Sequence, residues 1–97
     1  MTSARAQPGV VRRRVVVHGR VHGVGFRVGC ARRARAAGLV GWVRNRADGT
    51  VEVAFEGSPE AVDAMVAWCR SGPTMARVTD VEVFTESLGD DVSFAIR

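Results

Sequence analysis

The sequence predicts an α+β fold with two helices on one face of an antiparallel sheet of four to five strands. Three features predict it: a valine-rich run that feeds a glycine loop, two stretches with apolar residues at helical spacing, and two alternating runs joined by Asp-Gly. The 97 residues suffice for one domain that buries roughly 60 to 70 per cent of its unfolded surface. Met1–Gly9 carries Ser, Gln, Pro and Gly without apolar periodicity. It is expected to be a flexible tail, leaving 10–97 as a single folded domain.

The first strand is expected over Val10–Val17, where five of eight residues are valine. The first helix follows at Phe26–Ala37. Stepping 100° per residue puts Cys30, Ala34 and Ala37 within about 80° of Phe26, with Arg32 and Arg35 turned away, so this stripe faces the core. Gly38 suits the helix C-terminus. Two strand arms, Leu39–Ala47 and Thr50–Gly57, flank Asp48-Gly49, a strong hairpin signal. In the second arm Val51, Val53 and Phe55 alternate with Glu52, Ala54 and Glu56. The second helix starts with Ser58 as N-cap and Pro59 in its first turn. Val62, Met65, Val66 and Cys69 then recur at i, i+3, i+4 and i+7, a core stripe flanked by Trp68. Gly72-Pro73 stops this helix. The last strands are expected over Ala76–Glu86, with Val81 and Val83 on one face, and over Val92–Arg97, with Val92, Phe94 and Ile96 alternating. The order β-α-β-β-α-β plus a final strand is that of a ferredoxin-like sandwich.

Gly19-Arg-Val-His-Gly-Val-Gly-Phe-Arg27 has three glycines in seven residues and sits at the turn from the first strand into the first helix. Free backbone N–H groups and the positive end of the helix dipole converge at such a turn, and an oxyanion such as phosphate satisfies both. Glycine allows positive φ and a close backbone approach, while Arg27 adds a planar fork of donors. The backbone of Arg20, Val21, His22, Gly23, Val24 and Gly25 is the candidate cradle. It is not a P-loop, which needs a lysine after its last glycine, because the chain has no lysine. The dinucleotide fingerprint fails by one residue, since Gly23 and Gly25 fit but Val28 precedes the next glycine, Gly29. On the loop alone, a glycine turn carrying a structural arginine is the competing reading. Asn45, near the end of the first hairpin arm, shares a face with Val43 and so aims toward covered space. Taken by itself it also reads as a polar strand-end residue bonding its own turn.

These residues carry a resemblance. The Gly19–Arg27 stretch resembles the first signature of the acylphosphatase family, small enzymes that hydrolyse the carboxyl-phosphate bond of acyl phosphates. Gly41-Trp-Val-Arg-Asn-Arg-Ala-Asp-Gly-Thr-Val-Glu52 resembles that family's other signature, and Gly72-Pro-Thr-Met-Ala-Arg-Val78 a further segment in the same order. The resemblance runs from about Val11 to Arg97. The one departure in the first signature is His22, where the family commonly has glutamine. The resemblance implies the same sandwich fold, Arg27 and the 19–27 loop as the phosphate site, Asn45 as the residue that orients the attacking water, the substrate's own phosphate as proton acceptor, and neither metal nor cofactor. The partner it implies is a small acyl phosphate. Chemistry agrees with this list: the leaving group is a carboxylate whose acid has a pKa of about 4, so no general acid is required.

The formal charge of +4 is unevenly spread. Residues 1–47 hold 11 of the 14 arginines and no acid, and all 10 acids follow. Such a front end fits nucleic-acid binding, steering of an anionic small substrate, or a plain composition bias. An RNA-binding module of the same fold is the first rival. The strand aromatics are sparse, namely Trp42, Phe55, Phe84 and Phe94, and no RNP-type segment appears, which weighs against nucleic acid. An accessory domain that retains the fold without turnover is the second rival. Arg12, Arg13 and Arg14 interrupt the valines, so no signal peptide is read, and no segment approaches the roughly 20 apolar residues of a membrane span. There is no CxxC, and His18 and His22 are the only histidines, which makes no metal-ligand set. A cytoplasmic monomer is expected, with Cys30 and Cys69 as reduced core thiols on different helices and a bridge between packed helices as the alternative.

Overall fold

The structure, a computed structural model, describes residues 9–97. The tail expected over Met1–Gly9 lies outside the described residues except for Gly9, which is exposed. The elements are β1 (Val11–Arg20), α1 (Phe26–Ala36), β2 (Val40–Asn45), β3 (Val51–Gly57), α2 (Pro59–Cys69), β4 (Arg77–Glu86) and β5 (Phe94–Ile96). The strands form one sheet in the order β4-β1-β3-β2-β5, the ferredoxin-like arrangement with a strand added beside β2. Among the described residues no helix is long and apolar enough to cross a membrane.

Alternation decides which side of the sheet the helices cover. Val15 and Val17 of β1, Val43 of β2, and Val51, Val53 and Phe55 of β3 point into one core with Phe26, Cys30, Ala31 and Ala34 of α1 and Val62, Met65 and Cys69 of α2. The α1 stripe differs at one end: Ala31 is buried, whereas Ala37 is the exposed C-cap. Fully burying each of Phe26, Phe55 and Met65 is worth roughly 2–3 kcal/mol. Ser58 caps α2 as expected, its Oγ accepting from the Ala61 N–H. The Phe26 ring meets Trp68 at 5.2 Å between centroids, closing the core where α1 begins and α2 ends. Cys30 and Cys69 are buried and free. A sulfur hydrogen bond with Cys69, reinforced by burial, pushes the Cys30 thiol up, so it stays protonated.

Three strands depart from the expected lengths, and one of them, β2, covers only Val40–Asn45 of the expected Leu39–Ala47 because Arg46 to Gly49 form the turn. β1 runs on to Arg20, because β4 continues to pair with it beyond an irregularity at His18/Gly19, matching Gly19 with Val78 and Arg20 with Arg77. β5 is only three residues, and of the three expected alternating residues Phe94 alone is buried, with Val92 93% exposed and Ile96 42%. Strand β5 pairs with β2 in parallel, Gly41 opposite Phe94. The reason is topological: β4 occupies the opposite edge, so the chain must return across the sheet before it can add to β2. The Arg35 guanidinium, turned away from the α1 core stripe, donates twice to the Phe94 carbonyl and holds this short strand.

The face without helices is closed by charge. Arg12, with a side chain 7% exposed, bonds Glu56, Glu86 and Asp91 at 2.9–3.1 Å. Arg14 and Arg44 both pair with Glu52. Arg14 also lies 4.5 Å above the Phe84 ring, and Arg44 and Arg97 stack on Trp42. Burial alone would weaken the Arg12 charge, but its bonds to Glu86, Asp91 and Glu56 outweigh that and raise its pKa. Much of the basic excess of the front half is therefore matched by acids of the back half, because β1 lies between the acid-bearing β3 and β4.

Candidate active site

The glycine loop forms because β1 ends against the edge strand while α1 must start over the core. Val21 and Phe26 are buried anchors at the two ends of the turn, 1% and 2% exposed, and the residues between them are bends. Gly23 and Gly25 have φ of 68° and 78°, the left-handed region. Beyond the adjacent residues, no described atom lies within 4 Å of where a Cβ would stand on either glycine, so it is the backbone conformation and not a steric clash that calls for glycine.

Gly25 is the N-cap of α1 and offers no side chain to the first N–H groups, and the first turn has no acid. Among the described residues, the N–H groups of 22–25 donate no hydrogen bond within the protein. A positive helix end and several free donors thus face the same opening. That opening is a small cavity of about 90 Å³ bounded by Val21, Gly23 and Gly25 of the loop, by Phe26 to Val28 at the start of α1, and by Asn45 across from them. On the same measure one water takes roughly 10–15 Å³, so the cavity holds several such groups.

Asn45 is the last residue of β2 and pairs with Val51 of β3. It sits beyond Val43 on the core-facing side, as the alternation predicts, and its Oδ1 is buried without a hydrogen-bond partner among the described residues. The competing expectation was that this side chain bonds its own turn. That turn is instead closed by Asp48, whose Oδ1 accepts from the Thr50 N–H and hydroxyl. These bonds from Thr50 hold the Asp48 carboxyl below its ordinary range. A buried amide oxygen left unpaired costs about 1–3 kcal/mol, which a ligand bonded there would relieve.

Of the candidate residues, Val21, Gly23, Gly25, Arg27 and Asn45 border the cavity. Arg27 is exposed and makes no ion pair or side-chain hydrogen bond among the described residues. Arg20, His22 and Val24 do not border it. Arg20 is the exposed end of β1, opposite Arg77, and Val24 packs on the core. The His22 side chain does something the sequence did not announce: its Nε2 lies 2.8 Å from the Thr50 carbonyl. A separate groove of about 630 Å³ runs between α1 and α2, floored by Met65 and Trp68 and flanked by Arg32 and Arg33. Among the described residues it carries neither a glycine loop nor an unpaired buried polar atom.

The comparisons with known proteins agree with this geometry. The acylphosphatase family model matches residues 13–96. An acylphosphatase of Thermococcus kodakarensis is 55% identical over 73 residues, covering 75% of this chain and 80% of that one. One of Methylococcus capsulatus is 51% identical over 83 residues, covering 84% and 90%. Among solved structures, an acylphosphatase from Coxiella burnetii superposes with a TM-score of 0.88 at 30% identity, with all of both chains covered.

Proposed function

Because this chain belongs to the acylphosphatase family, we propose that the 19–27 loop and Arg27 hold the phosphoryl group of its substrate and that Asn45 orients the attacking water. The reaction is hydrolysis of the carboxyl-phosphate bond of an acyl phosphate to carboxylate and inorganic phosphate. In it a water oxygen bonds to phosphorus and the bond from phosphorus to the acyl oxygen breaks. The carboxylate departs with that electron pair and needs no proton, and the water's proton passes to a phosphoryl oxygen.

Each role follows from the donors and acceptors available. Charge on the equatorial oxygens is met by the free N–H groups of the loop and the helix end, which the backbone holds in place before substrate arrives, and by the Arg27 fork. The water must be held in line with the bond that breaks. An amide oxygen accepts one of its protons at any pH and leaves an oxygen lone pair free to attack. The single observation that supports this assignment is the unpartnered, buried Oδ1 of Asn45 opposite Gly23, Gly25 and Arg27 around one small cavity.

A cytoplasmic monomer completes the proposal. Two buried thiols left unjoined suit a reducing compartment, and the charged sheet face is satisfied within the chain. The experiment is hydrolysis of benzoyl phosphate in the presence of chelator by the wild type, Arg27→Ala and Asn45→Ala. Arg27→Ala should lose on the order of 3 kcal/mol in kcat/KM, with weaker inhibition by inorganic phosphate. Asn45→Ala should lose mainly kcat, and near-normal turnover in that variant would remove its assigned role.

A further inference from the structure

We propose that the His22 side chain is a positioning residue for this reaction, tying the phosphoryl-holding loop to the hairpin that carries Asn45. The proposal rests on the roles assigned above to Arg27 and Asn45. A carbonyl only accepts, so at 2.8 Å the His22 Nε2 carries the proton and donates it to the Thr50 oxygen. The same oxygen accepts the Arg46 N–H at 2.9 Å, and Arg46 follows Asn45 directly. One acceptor therefore receives a bond from the loop and a bond from the residue next to Asn45.

That acceptor is itself fixed. Thr50 is 6% exposed, and its N–H and hydroxyl both donate to Asp48 Oδ1, at 3.0 and 2.6 Å. Along the chain the loop reaches β2 only through the whole of α1. Among the described residues no other side-chain hydrogen bond joins 21–25 to 45–51. The sheet sets the two sides near each other, since Val17 of β1 and Asn45 both pair with Val51, and His22 ties the loop beyond β1 to the residue next to Asn45, trimming the distance between the group that holds phosphorus and the group that holds water. In-line attack tolerates little error in that distance, and a displacement of about 1 Å can lower the rate by two orders of magnitude.

The test compares kcat and KM for benzoyl phosphate, and inhibition by inorganic phosphate, in His22→Ala, His22→Gln, His22→Asn, Asn45→Ala and the double variant His22→Ala/Asn45→Ala. Glutamine places an amide nitrogen the same number of bonds from Cα as the imidazole Nε2, and asparagine falls one bond short. His22→Ala should lower kcat about tenfold while phosphate inhibition moves less than about threefold. His22→Gln should restore most of the rate and His22→Asn should not. In the double variant the two losses should not add, since a group that acts through Asn45 has nothing left to position. Wild-type kcat in His22→Ala, equal rates for His22→Gln and His22→Asn, or additive losses would each overturn the proposal. Should His22→Ala fail to fold, the contrast between glutamine and asparagine decides. Failure of the underlying assignment looks different, because Arg27→Ala or Asn45→Ala then turns over at the wild-type rate whatever His22 does.

Discussion

Gly25 meets two requirements at once, and a single methyl group separates them. Its φ of 78° costs alanine roughly 1 kcal/mol, and beyond the adjacent residues no described atom lies within 4 Å of the position the methyl would take. Gly25→Ala is therefore expected to fold, with stability lowered by about 1 kcal/mol in urea unfolding. The effect on the ligand should be larger. The methyl stands in the space bordered by the cradle, and any relaxation of φ turns the N–H groups at the start of α1 away from it. The inhibition constant for inorganic phosphate should rise by about tenfold or more, equivalent to roughly 1.4 kcal/mol or more. An unchanged constant would show that the anion does not approach this side of the loop. Arg27 differs in kind, since it is exposed and the role proposed for it rests on charge and hydrogen bonds, not on the fold.

At the scale of the element, β1 joins the site to the rest of the sheet. It lies between β3 and β4, presenting Val15 and Val17 to the core and Arg12 and Arg14 to the opposite face. Arg12→Ala would leave Glu56 and Asp91 without a paired cation, while Glu86 keeps Arg14 at 3.3 Å. Breaking such a pair from one side costs on the order of 3 kcal/mol, so the denaturation midpoint should fall with little change in slope. A loss below about 1 kcal/mol would mean that these bonds behave like an exposed surface pair. The arginines themselves were plain in the sequence and their purpose was not, because alternation gives the face of a residue but not the partner brought to it by pairing. The same limit hid the extension of β1 to Arg20, the shortness of β5 and its parallel pairing. All three depend on where distant strands lie. The two helices, the hairpin and the core stripes were legible because their periodicity is local. Gly23, Gly25, Arg27 and Asn45 were legible because they lie in two short motifs. The His22 contact was not, since its partner is a backbone carbonyl 28 residues away.

For the whole molecule, the question is what the net charge of +4 does once the open sheet face has taken its share. Arg12, Arg14 and Arg44 are matched there by acids, and Arg46 lies 3.5 Å from Asp48. Among the described residues Arg20, Arg27 and Arg77 are in no ion pair, and Arg20 and Arg77 sit directly opposite each other where β1 leads into the loop. Like charges placed face to face oppose folding slightly. They also leave a positive potential at the end of the molecule that carries the proposed phosphate site. Substrate capture should therefore be more sensitive to salt than the chemical step, which the proposed assignment puts inside a small cavity lined by backbone donors. Raising salt from about 0.02 to 0.2 M shortens the screening length from roughly 20 to 7 Å, and kcat/KM for benzoyl phosphate should fall several-fold while kcat stays level. Arg20→Gln/Arg77→Gln should start from a lower kcat/KM at low salt and show a flatter dependence, with kcat again unchanged. If kcat/KM is flat in the wild type, the unpaired arginines do not steer substrate, and their juxtaposition belongs to the composition of the chain. If salt instead controls binding of single-stranded RNA at micromolar protein, the basic end serves a nucleic acid, and the steering argument gives way to that one.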